Sequence, residues 1–225
     1  TSAKSNLALI EFVAGYLSDL GVQTETVPND TGTKANLIAT LGGKATQGGV
    51  ILSGHTDVVP VDGQTWATDP FQAVEKNGRL YGRGTADMKS FLGVALALVP
   101  EFLTRPLAIP VHLALSYDEE VGCLGAPRLV EQLAAAKTAA SIVIVGEPTS
   151  MRVVTAHKGI RAFRTTVTGV EAHSSAPDDG ANAILHGAKL IGFLRGLARE
   201  LRNAENTDAD FGTPFSTINV GRIEG

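Results

Sequence analysis

The sequence has one cysteine, no apolar run long enough to cross a bilayer and little excess of either charge. Cys123 cannot form a disulfide within the chain, which suits a reducing, cytoplasmic compartment. The formal net charge of -4 gives no reason to expect binding to nucleic acid or to an anionic membrane. Because 44% of the 225 residues are hydrophobic, the chain can bury a sizeable core. The composition therefore predicts a globular protein.

A histidine and an aspartate follow the first clearly apolar strand. Residues 49–53 read as a short buried strand, and His55 and Asp57 come directly after it. A neutral imidazole is a good zinc ligand when a carboxylate holds its other ring nitrogen, and His-x-Asp on an extended chain puts both side chains on one side. The alternative is a loop histidine beside a turn-forming aspartate. The pair by itself does not decide between them.

A second acid, Asp87, lies where a glycine-rich segment leads into a helix predicted from Met88 to Phe102. Aspartate is a preferred helix N-cap, so capping is one interpretation and metal bridging is the other. A phosphate-binding loop is excluded, because Gly82 and Gly84 are followed neither by Gly-Lys-Ser/Thr nor by a third glycine at dinucleotide spacing.

Two further strands end in acids. The strand 109–115 leads to Asp118, Glu119 and Glu120, and the strand 141–145 leads to Glu147 before Pro148. A solvated acidic turn and an ordinary loop glutamate are the alternatives. If residues 118–120 are extended, adjacent side chains point opposite ways, and one glutamate can bind a metal while its neighbour faces a water. Acids clustered at strand ends indicate a cation site.

The pattern of the chain changes near His157. Before it, strands and helices alternate as in an α/β domain. After it, residues 161–168 alternate as a strand, residues 181–201 form an amphipathic helix, and residues 215–223 read as a second strand. This β-α-β order predicts half of a small α+β domain.

Six segments carry a resemblance to a known family. They are SGHTDVVP at 53–60, WATDPF at 66–71, GRLYGRGTADMK at 78–89, DEE at 118–120, GEPT at 146–149 and AHSSAP at 172–177. In these motifs the chain resembles the dimetal metallopeptidase family that includes acetylornithine deacetylase, succinyl-diaminopimelate desuccinylase, aminoacylase and glutamate carboxypeptidase. The similarity covers essentially the whole chain.

The resemblance assigns roles to these residues. It implies that two divalent metal ions, zinc or alternatively cobalt, bind to the metal ligands His55, Asp87, Glu120 and Glu147, with Asp87 as the bridge. It further implies that Asp57 orients His55, that Glu119 is the general base, that His173 reaches the active site of a partner subunit and that the Asp87–Met88 peptide is cis.

The resemblance also implies a fold and a function. The expected fold is a zinc-peptidase-like mixed sheet flanked by helices, with a catalytic domain over residues 1–157 and a dimerisation or lid domain over 158–225. The expected function is removal of an N-acyl group from a small amino acid, with N-acetylornithine as the substrate, in arginine biosynthesis; a succinylated or other acylated substrate is the alternative.

One family feature is missing. The final metal-binding histidine of the family has no counterpart here, because no histidine follows His186. We therefore expect a fragment that lacks the remainder of the catalytic domain. An inactive metal-binding or dimerising protein is the alternative class of function.

Overall fold

The computed structural model describes residues 1–42, 48–138, 140–203 and 207–224. The chain divides into two compact units, Thr1–Arg152 and Val153–Gly225. The first contains a five-stranded mixed sheet flanked by helices, which confirms the predicted α/β class. The assignment of a catalytic and a dimerisation role to the two parts of the chain stays a prediction.

Among the described residues of the first unit, seven strands form two sheets. They are β1 Thr24–Pro28, β2 Ala35–Leu41, β3 Gly49–His55, β4 Val74–Lys76, β5 Arg79–Tyr81, β6 Val111–Ser116 and β7 Ala140–Val145. The large sheet has the order β1-β2-β6-β3-β7, in which β6, β3 and β7 are mutually parallel and the other pairings are antiparallel. Because parallel strands end at the same edge, the residues that follow β3, β6 and β7 come close together.

A small hairpin precedes the glycine-rich segment. β4 and β5 pair antiparallel across Asn77 and Gly78, which both have positive φ, 54° and 67°. An Asn-Gly pair with this backbone is typical of a two-residue hairpin turn. This hairpin was not among the predicted elements, although an Asn-Gly pair is a local hairpin signal.

Helices cover both faces of the large sheet. They are α1 Leu7–Asp19, α2 Ser90–Ala97, α3 Val99–Thr104 and α4 Ala126–Ala135. Side chains of α1, α2 and α3 share one buried cluster with Leu37 and Leu113, whereas Leu129 of α4 packs with Ile38 and Ala114 in a second cluster. Consecutive strand residues point to opposite faces, which explains the division. Within the described residues, no helix is long and apolar enough to cross a membrane.

The helix predicted from Met88 to Phe102 is shorter and broken. α2 starts at Ser90, because Asp87 and Met88 have non-helical backbone angles, and α3 follows after Leu98. Pro100 lies in the first turn of α3 and has no N–H, so it cannot donate the hydrogen bond that would continue α2. The helical character of the segment is otherwise confirmed, and its apolar residues Leu92, Ala95 and Val99 are buried.

The second unit contains one long helix, α5 Ala183–Arg202, close to the predicted 181–201. Asn182 caps it by accepting a hydrogen bond from the Leu185 amide at 3.1 Å. The strands predicted at 161–168 and 215–223 do not form; pairing in the described residues of this unit is one antiparallel bridge, Val170 to Ala181. An alternating pattern makes a strand only when a neighbouring strand pairs with it, and neither segment has such a neighbour in the structure.

A buried asparagine fixes the turn that follows β6. The Asn36 side chain donates to the Gly125 carbonyl at 2.8 Å and accepts from the Tyr117 amide at 3.2 Å. The Gly125 amide in turn donates to the Tyr117 carbonyl at 3.1 Å. These bonds close the loop that carries Glu119 and Glu120 onto the first turn of α4.

We expect Gly125→Ala to destabilise the protein by about 1–3 kcal/mol, because a methyl group would overlap rigid neighbours. Its Cβ would lie 2.6 Å from the Tyr117 carbonyl oxygen and 2.7 Å from Asn36 Oδ1. The matched control is Gly15→Ala in α1, where no atom lies within 4 Å and alanine favours the helix. Urea unfolding of both variants checks this; equal stabilities would contradict the packing described.

Candidate metal centre

His55 is the last residue of β3, and its side chain is 1% exposed. Its Nδ1 lies 3.0 Å from the Asp57 main-chain carbonyl oxygen, which can only accept a hydrogen bond. Nδ1 is therefore the donor, and the ring is held by its neighbour two residues away. This arrangement directs Nε2 toward the residues that follow the other parallel strands.

Three acidic side chains lie on the Nε2 side of His55. Asp87 Oδ1 is 2.9 Å from Nε2, Glu147 Oε1 is 3.6 Å away, and Glu119 Oε2 is 4.0 Å away. One ligand atom each from His55, Asp87 and Glu147 all lie within 4.8 Å of one another. These carboxylates are 38–47% exposed, so the group opens to solvent.

The pKa values in this group reflect burial first and the crowding of acids second. Burial and then repulsion from Asp87 raise the pKa of both Glu120 and Glu147. Burial alone would lower the pKa of His55, but hydrogen bonds with Asp57 and Asp87 and the nearby carboxylates outweigh it and raise the pKa to about 9. A cation bound here would relieve the repulsion between the acids.

Asp57 lies on the Nδ1 side of the His55 ring. Its side chain is 3% exposed. The distance from His55 Nδ1 is 3.4 Å to Asp57 Oδ1 and 3.0 Å to the main-chain carbonyl oxygen of Asp57. Burial would raise the pKa of Asp57, yet the hydrogen bonds from His55, from the Glu119 amide and from Ser2 hold that pKa well below the ordinary range. Asp57 is thus an ionised group whose main chain and side chain both face the ring.

Glu119 and Glu120 do not lie on an extended segment, contrary to the sequence analysis. Asp118 has a φ of 54°, and the amides of Gly122 and Cys123 both bond to the Glu119 carbonyl at 3.0 Å. The segment is a tight turn because these bonds and the glycine at 122 reverse the chain. Glu119 faces His55, while Glu120 lies outside the group of atoms within 4.8 Å, although its pKa responds to Asp87.

Asp87 lies in an irregular helical turn, Thr85–Lys89, and does not cap a helix. Its φ and ψ of -122° and 99° are extended, and Lys89 occupies the position before α2. The Asp87–Met88 peptide bond is cis, as the family resemblance implied. The capping interpretation is therefore not supported, and the Asp87 carboxylate is directed toward His55.

The residues present fit a divalent cation. One imidazole nitrogen and two carboxylate oxygens are ligands that zinc accepts, and a site with three protein ligands leaves a position for water. His55 has its other nitrogen bound, as metal-ligating histidines do. The described residues thus offer the donor set for one cation, and Glu120, whose pKa is raised by burial and by Asp87, is a candidate to extend it to a second.

His173 belongs to the second unit and is exposed. Its Nδ1 accepts from the Ser175 amide at 3.3 Å and lies 2.8 Å from the Ser175 hydroxyl. A neutral ring that accepts at Nδ1 carries its proton on Nε2, which leaves an outward N–H donor. The predicted role of His173 in a partner's active site stays a prediction.

Several residues that support the group were not among the predicted site residues. Ser2 donates to Asp57 Oδ2 at 2.9 Å, Lys34 bonds to the Ser2 carbonyl at 2.5 Å, and the Lys89 ammonium bonds to the Thr56 carbonyl. Ser2 and Lys34 are separated from Asp57 by long stretches of chain, so no local pattern relates them. Lys89 is the last residue of the motif at 78–89, and its positive charge near Asp87 could have indicated a supporting role.

The sequence model of Peptidase family M20/M25/M40 matches residues 51–222, and the chain belongs to this family. The chain is 40% identical over 223 residues to the acetylornithine deacetylase of Pasteurella multocida, covering 99% of this chain and 57% of that protein. It is 41% identical over 226 residues to that of Edwardsiella ictaluri, again 99% and 57%. The chain thus spans little more than half the length of these relatives.

Solved structures support the fold. A tripeptidase from Staphylococcus aureus aligns with a TM-score of 0.57 at 18% identity, covering 84% of this chain and 52% of that one. An M20 family metallo-carboxypeptidase from Sulfolobus solfataricus aligns with a TM-score of 0.52 at 27% identity, covering 62% and 31%. The first likeness shows the fold alone.

The raised pKa of His55 predicts a pH-dependent stability in the metal-free protein. Because the folded pKa of about 9 exceeds the ordinary 6.5, protonated His55 stabilises the fold fully below pH 6.5, and this contribution is lost as the pH rises through 9. The loss should be about 2–3 kcal/mol.

Urea unfolding of the chelator-treated protein between these two pH values measures it. The control is His55→Gln, which should show no such decline. An equal decline in the variant would assign the pH dependence to other groups.

Proposed function

We propose that the full protein is a metal-dependent amide hydrolase that removes the acetyl group from N-acetylornithine, releasing acetate and ornithine. The observation that supports it is the convergence of His55, Asp87 and Glu147 within 4.8 Å, with the Glu119 carboxylate 4.0 Å from the same imidazole. The 40% identity to curated acetylornithine deacetylases supports the choice of substrate. This would be an ornithine-producing step of arginine biosynthesis.

The metal requirement follows from the donor set. We propose two divalent ions, zinc or alternatively cobalt, with His55, Asp87 and Glu147 as ligands and Glu120 as the further ligand toward the second ion. When bound, such ions lower the pKa of water and polarise a carbonyl oxygen. Asp57 holds Nδ1 of His55, so that Nε2 remains available to the cation.

The proton transfers are assigned to Glu119. Its Oε2 is near the ligand group, yet its carboxylate is not one of the three residues that share the 4.8 Å group. This position supports the proposal that Glu119 accepts a proton from the attacking water and donates it to the leaving amine nitrogen as the carbon–nitrogen bond breaks. A carboxylate and a free amine are the products.

His173 is proposed to assist from the partner subunit of a homodimer formed through the small domain. Its outward Nε2–H suits a hydrogen bond to the carbonyl oxygen as negative charge develops there. Such a donor stabilises the transition state and contributes little to metal affinity.

A cytoplasmic location stays a prediction from the single cysteine.

We expect Glu119→Gln in the full-length protein to keep its metal and to lose turnover by about 100- to 10,000-fold, because only the proton transfer is removed. Metal content and hydrolysis of N-acetylornithine are measured on the same samples. The matched control is Glu131→Gln, an exposed position in α4, which should behave like the wild type. Loss of metal with an unchanged rate per bound ion would make Glu119 a ligand instead.

We expect His173→Ala to lower turnover strongly while metal content is unchanged. Mixing it with Glu119→Gln should restore activity, because a hybrid dimer contains one site with both intact residues. Subunit exchange is verified with differently tagged protomers. Complete exchange without recovery would rule out action across the interface.

A further inference from the structure

We propose that Ser2 is a positioning residue of the metal centre: it holds the Asp57 carboxylate through a network that Lys34 and Asp118 complete. The inference rests on the proposed metal site, since Asp57 acts there through His55. It adds Ser2 and Lys34, which lie outside all the motifs described in the sequence.

The Asp57 carboxylate is held from four sides. Its Oδ2 accepts from the Ser2 hydroxyl at 2.9 Å and from the Glu120 amide at 3.3 Å. Its Oδ1 accepts from the Glu119 amide at 3.0 Å and lies 3.4 Å from His55 Nδ1. Ser2 is thus the one side-chain hydroxyl on this carboxylate among the described residues, and its bond is the shortest of the four.

Ser2 is itself held in place by main-chain contacts. Its amide donates to the Val58 carbonyl at 3.1 Å, just beyond Asp57. The Lys34 ammonium donates to the Ser2 carbonyl at 2.5 Å. These contacts fix the Ser2 main chain beside Asp57. The hydroxyl lies 2.9 Å from Asp57 Oδ2 and 3.4 Å from the Val58 carbonyl oxygen, so the carboxylate is its closer acceptor.

Lys34 joins this contact to the turn that bears the two glutamates. Its ammonium lies 2.5 Å and 2.6 Å from the two carboxylate oxygens of Asp118, and the side chains are only 15% and 10% exposed. Asp118 directly precedes Glu119, whose amide bonds to Asp57. The contacts thus form a closed circuit. It runs from Asp57 to Ser2, on to Lys34 and Asp118, and returns to Asp57 through the amide of the adjacent Glu119.

The circuit has a consequence for the imidazole. A buried carboxylate that loses one of its donors can rotate and interacts less firmly with the imidazole beside it. Partners that orient a metal-binding histidine typically change metal affinity 10- to 100-fold when they are removed. Because Ser2 acts one step further out, through Asp57, we place its effect at the lower end of that range.

The test is a double-mutant cycle on zinc affinity in the full-length protein, measured by competition with a chromophoric chelator. Ser2→Ala should weaken Zn2+ binding about tenfold, whereas Ser2→Thr, which keeps the hydroxyl, should restore it. In an Asp57→Ala background Ser2→Ala should have no further effect, because its route to the ring is absent. Ser18→Ala, the same change at an exposed position of α1, is the control and should bind zinc like the wild type.

Three results would overturn the inference. Zinc affinity within twofold of wild type in Ser2→Ala would show that the hydroxyl does not position the site. If Ser2→Ala lowered zinc affinity equally in the Asp57→Ala background, the effect of Ser2 would be independent of Asp57 and merely structural. Unchanged zinc affinity in Asp87→Ala would refute the proposed metal site itself. Loss of zinc affinity in Asp87→Ala together with normal zinc affinity in Ser2→Ala would refute only the role of Ser2.

Discussion

Repulsion among acids gathered around one buried imidazole is the constraint on which the site depends. β3, β6 and β7 are parallel, so the chain delivers His55, Glu119 and Glu147 to one edge of the sheet. Asp87 arrives from the irregular turn before α2. Without a cation, hydrogen bonds with Asp57 and Asp87 and then the charges of nearby carboxylates outweigh burial and raise the pKa of His55. A divalent ion would balance these charges and leave the imidazole neutral.

The surrounding structure keeps this unfavourable arrangement in place. Asn36 closes the turn after β6, and the amides of Glu119 and Glu120 donate hydrogen bonds to the Asp57 carboxylate. The Lys89 ammonium is tied to the loop between His55 and Asp57. The rigid sheet and these tethers together explain how exposed carboxylates can converge without moving apart.

Much of the first unit and the members of the site could be predicted from the sequence. His55 and Glu147 each come at the end of an apolar strand, and parallel strands bring such ends together, so local patterns indicated one sheet edge for both side chains. The choice between metal ligands and loop residues came from the family resemblance. The turn at Glu119 was not predictable in the same way, because it depends on Asn36, which is remote in the chain. The strands predicted in the second unit failed for a related reason: alternation gives a strand its faces but does not supply a pairing neighbour. Ser2 and Lys34 act only through three-dimensional contact.

The central claim is that His55, Asp87 and Glu147 bind a divalent cation. The most direct measurement is anomalous diffraction at the zinc edge from crystals of the full-length protein grown with Zn2+. We expect a peak about 2.0–2.2 Å from His55 Nε2 and from oxygens of Asp87 and Glu147. Zinc bound elsewhere, with no peak within reach of His55 Nε2, would contradict it.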